Sequence, residues 1–153
     1  MFSFTLFGKP IPQEQTRFFQ LKGKMIPYNP NKRDIQKIKD QIIYFAPPAP
    51  FCGPVELSIW FFLAIPKSVK KKTQELMTRR LIRPDIIPDE DNLAYLITNS
   101  LKKIVYDDDK RICEKHVYKF YGEQEKTVIY VKPLACLQNK DYKNENPQFF
   151  VYL

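Results

Sequence analysis

Cysteine is scarce in this 153-residue chain: Cys52, Cys113 and Cys136 are odd in number and far apart. That excludes a disulfide framework and points to a reducing cytoplasm. Cys52 and Cys136 are expected to be buried thiols. No apolar run is long enough to cross a bilayer, so no membrane partner is expected. Met1 to Gly8 is apolar and alternating but lacks a basic leader and a small-residue cleavage site, so it reads as a strand rather than a signal peptide. The one histidine, His116, stands three residues from Cys113. With no second such pair, and with the two side chains facing opposite ways on a strand, this is a poor zinc site. There is no internal repeat and no sign of a second domain.

Acid is scarce in the first half. Residues 1–83 hold fifteen Lys/Arg against five Asp/Glu, a net of +10. Residues 84–153 hold ten against twelve, a net of −2, which gives the formal +8 overall. A surface so polarised suggests a polyanionic partner, although excess surface lysine alone would also produce it.

What is present is enough for one globular domain. Hydrophobic residues make up 44% of the chain and aromatics 14%, too apolar for disorder and long enough to bury a core. Residues 2–8 predict a strand and residues 9–30 a long loop. Asn31 to about Phe45 predicts a helix with Ile35, Ile38, Ile42 and Ile43 inward. The run APPAPFCGP stops it. Val55 to Ile65 predicts a central strand. Ser68 is a candidate cap for a basic helix over 69–80. Residues 81–89 should be extended because of Pro84 and Pro88. Glu90 to Lys103 has the clearest helical stripe: Leu93, Leu96, Ile97, Ser100, Leu101 and Ile104. Residues 111–121 and 126–132 predict a hairpin about Gly122-Glu123. The expected fold is α/β (α+β): a small mixed sheet flanked by helices over 1–137, with 138–153 a C-terminal tail. The terminal Phe149-Phe150-Val151-Tyr152-Leu153 could add an edge strand, pack on the domain or bind a partner.

The acidic residues are patterned. In an extended PDEDNL segment, Asp89 and Asp91 would project to one side, with Asp91 at or near a helix N-cap, where the dipole favours carboxylates. One helix later comes Asp107-Asp108-Asp109, and a sharp return would bring it back towards the first pair. Clustered carboxylates need a cation, and hard oxygen ligands select Mg²⁺ or Mn²⁺. In a basic protein that fits phosphodiester hydrolysis. A helix cap and a solvated turn would explain the same residues without a metal.

PDEDNL, then Leu101, IVYDDDKRI and KFYG, together resemble the signature of the RusA-type Holliday-junction resolvases. FTLFGKPIPQEQTRF resembles that family's opening strand and G-K-P-x-P turn, so the similarity covers about residues 2–134. It implies a RusA-like homodimeric endonuclease that cuts four-way DNA junctions with Mg²⁺ or Mn²⁺. It also implies metal ligation by Asp89, Asp91 and Asp109, with Asp108 in support. A one-residue slip in register would exchange Asp108 and Asp109. A two-fold protein suits a substrate of approximate two-fold symmetry. The family's later lysine falls on Lys119. Three positions depart from the pattern: Tyr95 stands where the family has a lysine, Asn99 where it tends to have an aspartate, and Arg111 where it has a glutamine. Lys102 shares the face of Tyr95 but lies roughly 16 Å from Asp91 by helix rise, too far to substitute.

Arg17, Lys70, Lys71, Lys72, Arg79, Arg80, Arg83, Arg111 and Lys119 are the candidate DNA contacts, and the bland alternative for each is a solvated cation. Phe18 and Phe19 could wedge into a junction, although burial or a dimer contact is the commoner use of such residues. Rival functions are a non-catalytic or weakly active junction binder, a nuclease of flap or other branched DNA, and a protein-interaction module.

Overall fold

The computed structural model describes residues 2–135; Cys136 and the aromatic tail lie outside the described residues. The chain runs β1 (Phe2–Phe7), β2 (Arg17–Leu21), β3 (Lys24–Tyr28), α1 (Lys32–Ile42), β4 (Val55–Ala64), α2 (Lys71–Thr78), α3 (Glu90–Leu101), β5 (Ile112–Gly122) and β6 (Lys126–Pro133). Short 3-10 turns at Ile43–Phe45 and Asp109–Arg111 complete it.

Alternation decides where β4 sits. Val55, Leu57, Ile59 and Phe61 are buried on one face, whereas Glu56, Trp60 and Phe62 on the other are half-buried. Such a strand belongs in the middle of a sheet with one covered face. The four-stranded order is β1-β6-β4-β5, with β4 antiparallel to β6 and parallel to β5. The expected mixed sheet with flanking helices is therefore present. The expected hairpin is not: β5 and β6 follow one another in sequence, but β4 lies between them.

The covered face carries the core. Leu93, Leu96, Ile97 and Leu101 of α3, with Ile38 and Ile42 of α1, pack with the buried residues of β4, Ile129 and Val131 of β6, and Phe4 and Leu6 of β1. Each fully buried aliphatic side chain contributes about 1.5–3 kcal/mol. This packing fixes α3 on the sheet, and α3 carries the acidic residues.

Other local expectations need correction. Part of the expected loop 9–30 is a two-stranded antiparallel ribbon, β2–β3, turned at Lys22-Gly23, where both residues have positive φ. Gly23 adopts φ 76° without the Cβ penalty. α2 begins at Lys71 with Lys70, not Ser68, at the N-cap position and no side-chain cap. Cys52 is exposed rather than buried.

Candidate active site

Pro84 and Pro88 keep residues 84–88 out of a helix, and α3 starts immediately afterwards. Asp89 holds the N-cap position with extended backbone (φ −65°, ψ 147°) and makes no side-chain cap bond. Asp91 is therefore in the first helical turn, near the N-cap as expected and two positions past it, and not in an extended stretch. Asp89, Glu90 and Asp91 are all exposed at the positive end of the helix. Glu90 was not among the expected site residues, although it lies inside the PDEDNL segment. Its carboxyl is pushed up by partial burial and then by the neighbouring Asp91, while Lys115 and Lys119 oppose the shift.

Lys119 gives this corner its shape. Its ammonium donates to the carbonyl oxygens of Ile86 (2.7 Å) and Pro88 (2.9 Å). A strand residue thus grips the irregular segment that delivers Asp89. Two charge-assisted bonds to otherwise orphaned carbonyls restrain a loop more than ordinary neutral ones would.

The second acidic group is at the other end of α3. Lys103 turns the chain with φ 69°, and Val105 and Tyr106 are wholly buried, the Tyr106 hydroxyl donating to the Thr98 carbonyl at 2.8 Å. Lys102 Nζ lies 3.1 Å from Asp108 Oδ2 and 3.0 Å from Asp109 Oδ1. The backbone N–H of Lys110, then Lys102, hold the Asp108 carboxyl far below its usual range. Asp107 is engaged at 2.7 and 2.8 Å by the Arg111 guanidinium.

β5 then runs back along α3, starting beside Asp109 and bringing Lys115 and Lys119 beside Glu90. The first acidic group thus stands at the start of α3 and the second is held by Lys102 just past its end, with a helix of twelve residues, roughly 18 Å long, between Asp89 and Lys102. Among the described residues, no three His, Cys, Asp or Glu side chains gather into a metal-holding group. The chain by itself does not bring Asp109 or Asp108 to Asp89 and Asp91. Exposed carboxylates nevertheless suit magnesium, which commonly takes one or two of them and completes its shell with water and substrate phosphate. Asp89 and Asp91 fit that smaller role.

Residues 8–132 match the endodeoxyribonuclease RusA family. The chain belongs to that family. It is also 28% identical over 137 residues to the uncharacterized protein YqaN of Bacillus subtilis (strain 168), covering 87% of this chain and 96% of that one.

A RusA endodeoxyribonuclease must hold a polyanion, and the candidate cations are differently placed for that task. Lys70, Lys71 and Lys72 are exposed at the start of α2, and Arg79 is exposed at its end. The guanidinium groups of Arg80 and Arg83 lie 4.7 and 4.2 Å from the centroid of the Phe120 ring. That arrangement fixes them as a pair without neutralising them. Arg17 pairs with Glu14, and Arg111 with Asp107. Lys119 is committed to carbonyl oxygens. The sequence identifies all these cations but not which already have partners, since that depends on what the fold places beside them.

Phe18 and Phe19 are exposed on the β2–β3 ribbon. Cys113 and His116 are exposed on β5.

Proposed function

We propose that the chain is a metal-dependent endodeoxyribonuclease of branched DNA, acting as a homodimer on four-way junctions in the cytoplasm. The carrying observation is the exposed Asp89–Asp91 turn at the positive end of α3, in a RusA-family chain whose first 83 residues carry a net +10. Asp89 and Asp91 would hold Mg²⁺ or Mn²⁺. When bound, the ion supplies Lewis acidity at the scissile phosphate and eases deprotonation of an attacking water. Lys70, Lys71, Lys72 and Arg79 hold backbone phosphates. Arg80 and Arg83 offer a pre-set pair of guanidinium groups. Lys119 keeps Asp89 in place, and Asp108 and Asp109, held by Lys102 at the other end of α3, would join the site only from the partner subunit of the homodimer.

The test uses purified protein with labelled four-way junction, flap and linear duplex, each with Mg²⁺, Mn²⁺ or EDTA. Junction cleavage only with metal is expected. Asp89→Asn and Asp91→Asn should each lower the rate by at least about 100-fold, the scale of losing several kcal/mol of charge stabilisation. Metal-independent cutting, or full activity in both variants, would refute the assignment. A second reading, a junction binder with little or no turnover, is favoured by the grip of Lys102 on Asp108 and Asp109 and by Tyr95 in place of the family lysine. Tight junction binding without cleavage in either metal would establish it.

A further inference from the structure

Two departures from the family pattern meet in one place. Tyr95 and Asn99, one turn apart on the outer face of α3, line a groove with Asn92, Gln13, Gln15 and Asn29. The groove encloses about 360 Å³ and lies one turn along α3 from Asp91. Among the described residues no cation lines it, and the single acid that does, Glu14, is paired with Arg17. Both substitutions exchange a charged side chain for a neutral one that can form hydrogen bonds.

The groove is also built rather than incidental. The Gln13 N–H donates to the Asn92 carbonyl at 2.9 Å, fixing the root of the β2–β3 ribbon to α3. Gln13 Nε2 donates to Asn29 Oδ1 and to Asn31 Oδ1, both at 3.2 Å. Asn31, almost wholly buried, accepts from the Glu14 N–H. Against that fixed floor, Gln13 Oε1 is a buried acceptor without a hydrogen-bond partner among the described residues, a state that normally signals a missing donor.

The chemistry narrows the ligand. A phosphate needs cations, a metal needs carboxylates, and an apolar peptide needs an apolar lining; this groove has none of these in quantity. Amides presenting donor and acceptor side by side match the edge of a nucleobase. An exposed tyrosine ring beside them, 57% accessible, offers the face on which an unstacked base rests. We propose that this groove receives one unpaired nucleobase of the DNA next to the cleavage site, stacked on Tyr95 and hydrogen-bonded by the surrounding amides. It would make base identity near the branch point a determinant of where the chain cuts. The inference rests on the branched-DNA reading above and names the part of that substrate the groove takes.

The experiment is run in EDTA, so no cleavage is needed. Four-way junctions carry 2-aminopurine in turn at each nucleotide within two of the crossover, and binding is followed both by fluorescence and by affinity. For wild type, one position should change its fluorescence on saturation. Tyr95→Ala should abolish that change, Tyr95→Phe should keep it, and Asn99→Ala should weaken it. An abasic site at that position should cost wild type about tenfold in Kd, the scale of one base–aromatic stack, and cost Tyr95→Ala almost nothing. Tyr95 is exposed, so its variants should melt with the wild type. If wild type binds the junction but no position responds, or the abasic penalty is equal in Tyr95→Ala, the groove does not receive a base and the nuclease reading stands. If wild type fails to bind the junction at all, the branched-DNA reading falls, and this inference with it.

Discussion

At the scale of single residues, the fold decides what each charge is free to do. Lys119 stands where the family has a lysine and could be read as a phosphate contact, yet its ammonium is bound to the Ile86 and Pro88 carbonyls. Those bonds restrain the segment that leads into Asp89, so in the proposed site its role is that of a positioning residue. Lys119→Met should lower junction cleavage about 10–100-fold, as is typical when a partner that orients a ligand is lost. Junction affinity and its salt dependence should not change, and Lys119→Arg should recover part of the rate. A weaker affinity with a flatter salt slope in Lys119→Met would instead make it a phosphate contact. Tyr106 is a purely structural counterpart. Its wholly buried hydroxyl donates to the Thr98 carbonyl. Tyr106→Phe should destabilise the chain by about 1–3 kcal/mol in urea unfolding, because the carbonyl is left buried without its partner. No change in the denaturation midpoint would show that water or another donor reaches it.

At the scale of elements, the sequence revealed most of the pieces but fewer of their neighbours. β1, β4 and α3 are legible because their apolar residues follow a clean period and their inward residues are the ones buried. β2 and β3 are not, because nearly all their residues are exposed and no buried face imposes a period. The pairing of β5 and β6 misleads in another way. Gly122 and the adjoining polar residues look like a hairpin turn, but β4 is the most apolar strand and takes the position between them. The acidic site divides along the same lines: its residues and their helix are recoverable from PDEDNL and DDD, whereas the direction of the chain after Leu101 is set by tertiary packing. There the Asp107–Arg111 pair closes the turn into β5 and carries a pH signature. Arg111 depresses the Asp107 carboxyl below its usual range. The folded value then lies below the unfolded one, so the stabilisation is present above the ordinary carboxylate range and is lost as pH falls through the folded value. Asp107→Asn should therefore make acid unfolding shallower in equilibrium denaturation across that range. Both groups are about one-third exposed, so the effect should be small and diminished by salt. An unaltered acid limb would mean that the pair does not persist in solution.

At the scale of the whole molecule, the segregation of charge would, in the proposed nuclease, separate holding DNA from cutting it. The basic excess lies before residue 84, and most of the acid used here lies between 89 and 109. α2 carries its lysines on a body anchored by Met77, which packs with Leu63 and Tyr121. Lys70, Lys71 and Lys72 can therefore reach phosphates without disturbing the core. Each lysine that contacts a phosphate releases a counterion on binding, so the dependence of log Kd on log salt measures how many take part. Replacing all three by alanine should weaken junction binding at low salt and reduce the magnitude of that slope by about 2–3. The melting temperature should stay close to wild type, since the three side chains are exposed. Lys119→Met, by contrast, should leave the slope alone and affect only the rate. A triple variant with the wild-type slope would place the phosphate path elsewhere. The exposed Arg79 and the Arg80–Arg83 pair over Phe120 would then be the next cations to remove, because their guanidinium groups keep their charge.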